Sequence, residues 1–300
     1  MNDEFSRCHP VVNFLYFVLA IAFSMCCMHP ACLLISLASA AGYVVILRGR
    51  KGLVGQCKWL LPVALFAAVL NPAFTHKGMT ILCYLPSGNP LTLESILYGI
   101  AAGGILASVF LWFTCYNDVM TSDKFIYLFG RIIPALSLVL SMTLRFVPRF
   151  KTQLKTVAQA QKHMGRDMEK GRLRQKLRSA MKIFSIMVTW SLESAIETAD
   201  SMKSRGYGEK GRTSFSIYQM DDRDRGLLLW LFFCGIYLLG GAIAKGFYFQ
   251  YYPMVQGVDT TPLSLSFFAV YGLLCLTPMI LDLYTARQWK LQRKEGQLHE

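Results

Sequence analysis

Long apolar blocks alternate with short polar connections along most of this chain, and one central stretch abandons that pattern for helical periodicity. Residues 11–27 and 31–47 are two such blocks joined by the turn Met28-His29-Pro30, residues 93–113 a third, and residues 227–244 and 263–283 two more. Each approaches the roughly 20 apolar residues that carry a helix across a bilayer. In the third block Gly99 and Gly103 stand four apart, a small-residue spacing that lets membrane helices approach closely. Residues 11–27 follow Asp3, Glu4 and Arg7 with no small-residue cleavage site, so they read as a retained helix and not a signal peptide.

Two further stretches are ambiguous. Residues 59–70 are apolar but short, with Pro62 inside and Asn71-Pro72 after them; residues 125–147 are long enough to span but carry Arg131 and Pro134. Charge favours leaving one of them out. Arg48, Arg50, Lys51 and Lys58 fill one connection, and Arg287, Lys290, Arg293 and Lys294 follow the final block. Residues 71–92 hold only Lys77, and residues 245–262 only Lys245. Six crossings put every basic cluster on the cytoplasmic side. Leaving out either stretch gives six; the arrangement favoured here lets residues 59–70 cross and lays residues 125–147 along the inner face, the alternative exchanges the two, and both termini are expected to be cytoplasmic.

The central stretch reads differently. In residues 191–206, Leu192, Ala195, Ile196, Ala199 and Met202 make an apolar stripe on a short helix. Glu193 and Glu197 stand early, Lys203 and Arg205 in the last turn, as the helix dipole favours, and Gly206 supplies a left-handed cap. A second amphipathic helix is predicted over 149–164, starting at Pro148 and carrying Phe150, Leu154, Val157, Ala158, Gln161 and Met164 on one face. The predicted architecture is an all-α integral membrane protein in three parts. N-terminal membrane helices occupy residues 1–116, a cytoplasmic domain of amphipathic helices 117–226, and C-terminal membrane helices with a basic tail 227–300.

Composition agrees with a membrane chain: 54% of residues are hydrophobic, 16% charged, and mean hydropathy is +0.37. The net charge of +13 is concentrated, since residues 145–182 hold twelve Lys/Arg against two acids, Asp167 and Glu169. Anionic lipid headgroups suit such a segment, whereas nothing in it resembles a nucleic-acid-binding fold. The nine cysteines contain no C-x-x-C and read as small apolar residues. The histidines form no metal-ligand pair, and His29 and His76 fall at block ends. No phosphate-binding loop occurs. Asp221-Asp222-Arg223-Asp224-Arg225 reads as a solvated segment before a span. No catalytic constellation, metal site or cofactor motif is found, so an enzyme is not expected.

Three motifs in fixed order carry a resemblance. They are Arg145-Phe146-Val147-Pro148, a helix ending Ala160-Gln161-Lys162-His163-Met164-Gly165, and a second ending Met202-Lys203-Ser204-Arg205-Gly206-Tyr207; His9-Pro10 and Asn71-Pro72 add to them. Over nearly the whole chain this resembles the transmembrane T components of energy-coupling factor (ECF) transporters, including the cobalt transport permease group. Ser204-Arg205-Gly206 matches the Ala-Arg-Gly-like signature that ends the family's two coupling helices. The first tip departs from it: His163-Met164-Gly165 lacks the arginine, and Arg166 follows the glycine. Asn13 stands where a basic residue often does.

The resemblance implies a coupler without catalytic residues or cofactor. Two cytoplasmic ABC-type ATPase subunits dock at the two tips, through Ser204, Arg205 and Gly206 at one and His163, Met164, Gly165 and Arg166 at the other. Leu154, Val157, Ala158, Ile196, Ala199 and Met202 form the coupling-helix apolar face. A separate substrate-binding S component captures a vitamin or a transition-metal ion, in contact with membrane lipid and without nucleic acid. The alternatives are a conventional ABC permease that lines its own substrate path and a membrane scaffold without ATPase partners. Recovery of ATPases with the purified chain discriminates these readings.

Overall fold

The computed structural model describes residues 4–75, 78–84, 90–130, 133–164, 173–209, 218–244, 246, 249–254, 257 and 261–298. The chain folds into two compact units, Met1–Phe125 with Tyr218–Glu300, and Ile126–Ile217.

The first unit is a bundle of apolar helices: α1 (Glu4–Arg7), α2 (Pro10–Cys26), α3 (Pro30–Phe74), α4 (Leu93–Val119), α8 (Asp222–Ile243) and α9 (Pro262–Leu298). Helices α3, α4, α8 and the first 27 residues of α9 are each long and apolar enough to cross a membrane, and α2 is a 17-residue apolar helix. The protein is a multi-pass membrane protein. Helix α3 is continuous in hydrogen bonding except at Gly49, whose φ of 74° breaks it between the blocks predicted at 31–47 and 59–70. Pro62 and Pro72 lie inside α3, and Asn71-Pro72 does not end it, because helix continues to Phe74. The 125–147 stretch is not one helix. It divides into α5 (Ser122–Gly130) and α6 (Pro134–His163), since proline suits a first helical turn and disfavours helix in the residue before it.

Helices α3 and α4 meet along small residues. A Cβ on Gly103 would lie 2.6 Å from the Ala64 carbonyl oxygen, and one on Gly99 would collide with that of Ala68. Such an interface brings backbones together where lipid supplies no hydrophobic drive. Elsewhere in the bundle, hydroxyls satisfy one another: Ser24 and Ser108 Oγ are 2.8 Å apart, Ser36 Oγ donates to Ser24 (3.1 Å), and Trp112 Nε1 donates to Ser36 (3.0 Å). Trp112, Tyr16 and Phe17 are buried edge-on around this chain, and Tyr16 donates to the Cys275 carbonyl at 3.1 Å. Six of the cysteines are buried as expected, but Cys26, Cys57 and Cys83 are exposed. Among the described residues a hairpin, β1 (Ile81–Tyr84) with β2 (Pro90–Thr92), closes the loop before α4.

Two helices start in the same way. His9 and His29 are N-caps whose Nδ1 accepts from Val11 N (3.3 Å) and Ala31 N (3.2 Å), each followed by proline at the first helical position. Burial holds both imidazoles below the ordinary histidine range, against the Asp224 carboxylate for His9 and a hydrogen bond with Gly257 for His29. The Asp221–Arg225 run is not simply solvated. It opens α8, Asp224 is buried, and Arg223 reaches Cys8 Sγ (3.5 Å) and Glu4 (3.7 Å), because α1 folds over it.

The second unit holds α6 and α7 (Leu173–Ser204). The predicted 191–206 helix is the last third of α7, and the predicted 149–164 helix is the second half of α6. Pro148 sits inside α6 instead of starting it. It lies on an exposed side of the helix, where the clash and missing bond of an internal proline meet no packed neighbour.

Candidate functional site

The two long helices of the second unit meet through aromatic rings. Trp190 stacks on Phe146 with centroids 5.5 Å apart and rings 24° from parallel, Phe150 lies at 6.5 Å, and the Arg149 guanidinium stands 5.6 Å over the Trp190 ring. Cation–π contact of this kind contributes about 0.5–1 kcal/mol. Among the described residues, Ile183, Met187 and Ser194 are buried in α7 and Gln161 in α6. From this junction α6 runs thirteen residues past Phe150 to His163, and α7 fourteen past Trp190 to Ser204. Each arm is about 20 Å long at the rise of an α-helix.

The arms end differently. At the end of α7, Gly206 N donates to Lys203 O (2.9 Å) and Tyr207 N to Met202 O (3.0 Å), with Gly206 at φ +70°. These two bonds define a Schellman motif, which stops the helix within one turn. Ser204 and Arg205 stand exposed at that stop. At the end of α6, Met164 has ordinary backbone angles, donates to Ala160 O (3.2 Å), and is 64% exposed beside exposed His163. Gly165 and Arg166 lie outside the described residues.

The apolar stripe of α7 faces outward. Leu192 and Ile196 are 62% and 64% exposed, Ala195 and Ala199 are also exposed, and Met202 is half-buried. The stripe runs further back than the sequence reading took it, through Val188, Phe184, Met181, Leu177 and Leu173, all exposed. On α6, Leu154 is exposed while Val157 and Ala158 are half-buried. The described predicted residues thus fall at two exposed helix ends, on the outward stripe of α7 and on a partly covered face of α6. Among the described residues no group of His, Cys, Asp and Glu is arranged to hold a metal ion.

The aromatic junction was missed from sequence. Its signal was present: Phe146 and Phe150 four apart in α6, and a lone tryptophan in the amphipathic helix α7.

The family model for cobalt transport proteins matches residues 6–215, which takes in both helix tips. Among curated proteins the chain is similar to energy-coupling factor transporter transmembrane proteins. The one from Exiguobacterium sibiricum is 32% identical over 110 residues, 35% of this chain and 42% of the relative. One from Listeria monocytogenes is 29% identical over 188 residues, 58% of this chain and 66% of the relative. That of Streptococcus thermophilus is 36% identical over 95 residues, 31% and 36% of the two chains. The chain therefore spans about two-fifths to two-thirds of the length of the first relatives it matches.

Proposed function

The chain belongs to the cobalt transport protein family, and from that premise we propose that it is the transmembrane coupling component of an energy-coupling factor transporter. In this reading it joins two cytoplasmic ABC-type ATPases to a separate S component that captures a vitamin or a transition-metal ion. The 126–217 unit and both chain termini lie on the cytoplasmic side. The observation that carries the reading is the pair of helix arms of about equal length, braced at one aromatic junction and ending in two exposed tips. A rigid arm transmits displacement at its tip to the far end, which a coupler requires.

Each ATPase takes one tip, and the two contacts differ in chemistry. The Ser204-Arg205-Gly206 tip offers a guanidinium whose planar fork suits a carboxylate in a groove. The His163-Met164 tip offers a flexible thioether that fills an irregular apolar groove, with Arg166 beside it in sequence. The outward stripe of α7 from Leu173 to Ile196 receives the S component, which covers the apolar surface that this helix leaves exposed.

The test is retention of ATPases on the immobilised, affinity-tagged chain. Arg205→Glu is expected to release one of them, because breaking a buried charge pair costs about 2–5 kcal/mol. Arg205→Lys should lie between. Met164→Asp should release the other by placing an unpaired carboxylate in an apolar groove. The ATPase at the arginine tip should also leave at lower salt. Full retention of both ATPases in Arg205→Glu and in Met164→Asp would sink the proposal.

A further inference from the structure

Lys124 is a buried cation within the first unit, 7% exposed and one residue before that unit's boundary. Its ammonium donates to the carbonyl of Ser6, within α1, and to that of Val119, the last residue of α4, at 2.9 Å. With the Asn13 amide turned so that its nitrogen donates to Phe5 O (2.9 Å), its oxygen accepts from Lys124 at 3.0 Å. Three oxygens from three pieces of chain thus converge on one ammonium: α1, the first turn of α2 and the end of α4. A cation at a helix C-terminus is also where the helix dipole favours it. The same corner is fastened again by Asp282 of α9, whose Oδ1 accepts from Glu4 N (3.0 Å) and Phe5 N (3.4 Å).

Lys124 lies in the first turn of α5, the nine-residue helix that carries the chain from one unit into the other. The far end of α5 is tied as well. Ser137 Oγ, in the first turn of α6, donates to Ile126 O at 3.4 Å, and Gly130 leaves no room for a Cβ against Ser137. Helix α5 is thus fastened at its start within the first unit and at its end within the second. Burying a lysine to make a mere turn would be wasteful, since a charged group removed from water must regain its hydration from fixed partners.

We infer that Lys124 pins the start of α5: it is a positioning residue that holds this turn against α1, α2 and α4, so that displacement of the α6–α7 arms is passed on to the membrane helices instead of being absorbed at the connection. This rests on the coupling reading above. The site lies about forty residues upstream of the first tip in sequence, so it can be tested without touching either ATPase contact.

The experiment uses the full complex reconstituted in proteoliposomes, measuring uptake and ATP hydrolysis together. Lys124→Met keeps the side chain's length and removes its donors. It should retain both ATPases and hydrolyse ATP, while uptake per ATP falls at least tenfold. A second variant replaces the exposed native cysteines with serine and carries Ser6→Cys with Lys124→Cys. Joining the two thiols with a reductively cleavable bifunctional cross-linker should restore uptake per ATP to within about twofold of wild type, and cleaving the linker should abolish it again. Uptake per ATP unchanged in Lys124→Met would overturn the inference while leaving the coupling reading intact. If Lys124→Met does not assemble, the tethered variant decides: coupling restored by the linker supports the pin, and failure to restore it overturns the pin. A wild-type chain that retains no ATPase would instead remove the coupling reading, and this inference with it.

Discussion

Phe66 in α3 and Phe184 in α7 are 65% and 63% exposed, yet the exposure means opposite things in the two units. Phe66 lies on α3, a helix long and apolar enough to cross a membrane, and an outward phenylalanine suits hydrocarbon surroundings. Phe184 lies on α7, whose neighbours in sequence include Arg174, Lys176, Arg178 and Lys182, and α7 is not among the helices able to cross. An apolar stripe of that length on a charged helix marks a surface that something else covers. The first unit buries its polar groups in mutual bonds and turns its apolar ones out to lipid. The second packs a narrow aromatic seam and leaves the apolar stripe of α7 exposed.

The largest effect expected from breaking this contrast is in the first unit. Trp112→Ala removes the buried ring at the centre of the hydroxyl chain and should cost about 3–5 kcal/mol, seen as a lower unfolding temperature of the purified chain in detergent. An unchanged unfolding temperature would mean that the Ser24–Ser36–Trp112 cluster does not hold the bundle.

The matched pair Phe66→Asp and Phe184→Asp sharpens the comparison directly. Phe66→Asp should reduce the membrane-inserted yield, since a central aspartate costs about 2.5–3.5 kcal/mol on insertion scales. Phe184→Asp should insert and unfold like wild type, and should lose the S component when the complex is purified. If the two variants fail in the same assay, the distinction between lipid-facing and partner-facing surface is wrong.

The smallest effect concerns the two histidine caps of the first unit. Burial favours their neutral forms, so the folded state resists protonation that the unfolded chain accepts near pH 6.5. Their stabilisation is present above that pH and is lost as pH falls below it. A helix N-cap contributes about 1 kcal/mol. Unfolding temperature should therefore fall between pH 7 and 5.5. His9→Asn with His29→Asn keeps the caps and should flatten that part of the profile.

Lys124 shows why one residue that matters escaped a linear reading. In the sequence it is a single lysine in Thr121-Ser122-Asp123-Lys124-Phe125, with no periodicity or motif to mark it. The helix dipole at the end of α4 offered a hint, but its other partners, Ser6 and Asn13, lie more than 100 residues away. The stripe on α7 was legible as a stripe for the opposite reason, because helical spacing is local. Which way it faced was not local. Leu192 and Ile196 could have packed on α6, and the stacking of Trp190 on Phe146 and Phe150 turned them outward.

The sequence by itself determined the all-α membrane class, the apolar blocks, the two helix ends and the small-residue contact at Gly99 and Gly103. Each of these follows from residues within a few turns of one another, through hydropathy, capping geometry or side-chain size. Only the tertiary structure decided that α3 runs through Asn71-Pro72, that α6 runs through Pro148, and that Asp224 is buried. Those outcomes depend on the surface that distant segments present to the chain, and local preferences of a kilocalorie or so yield to packing that buries whole side chains.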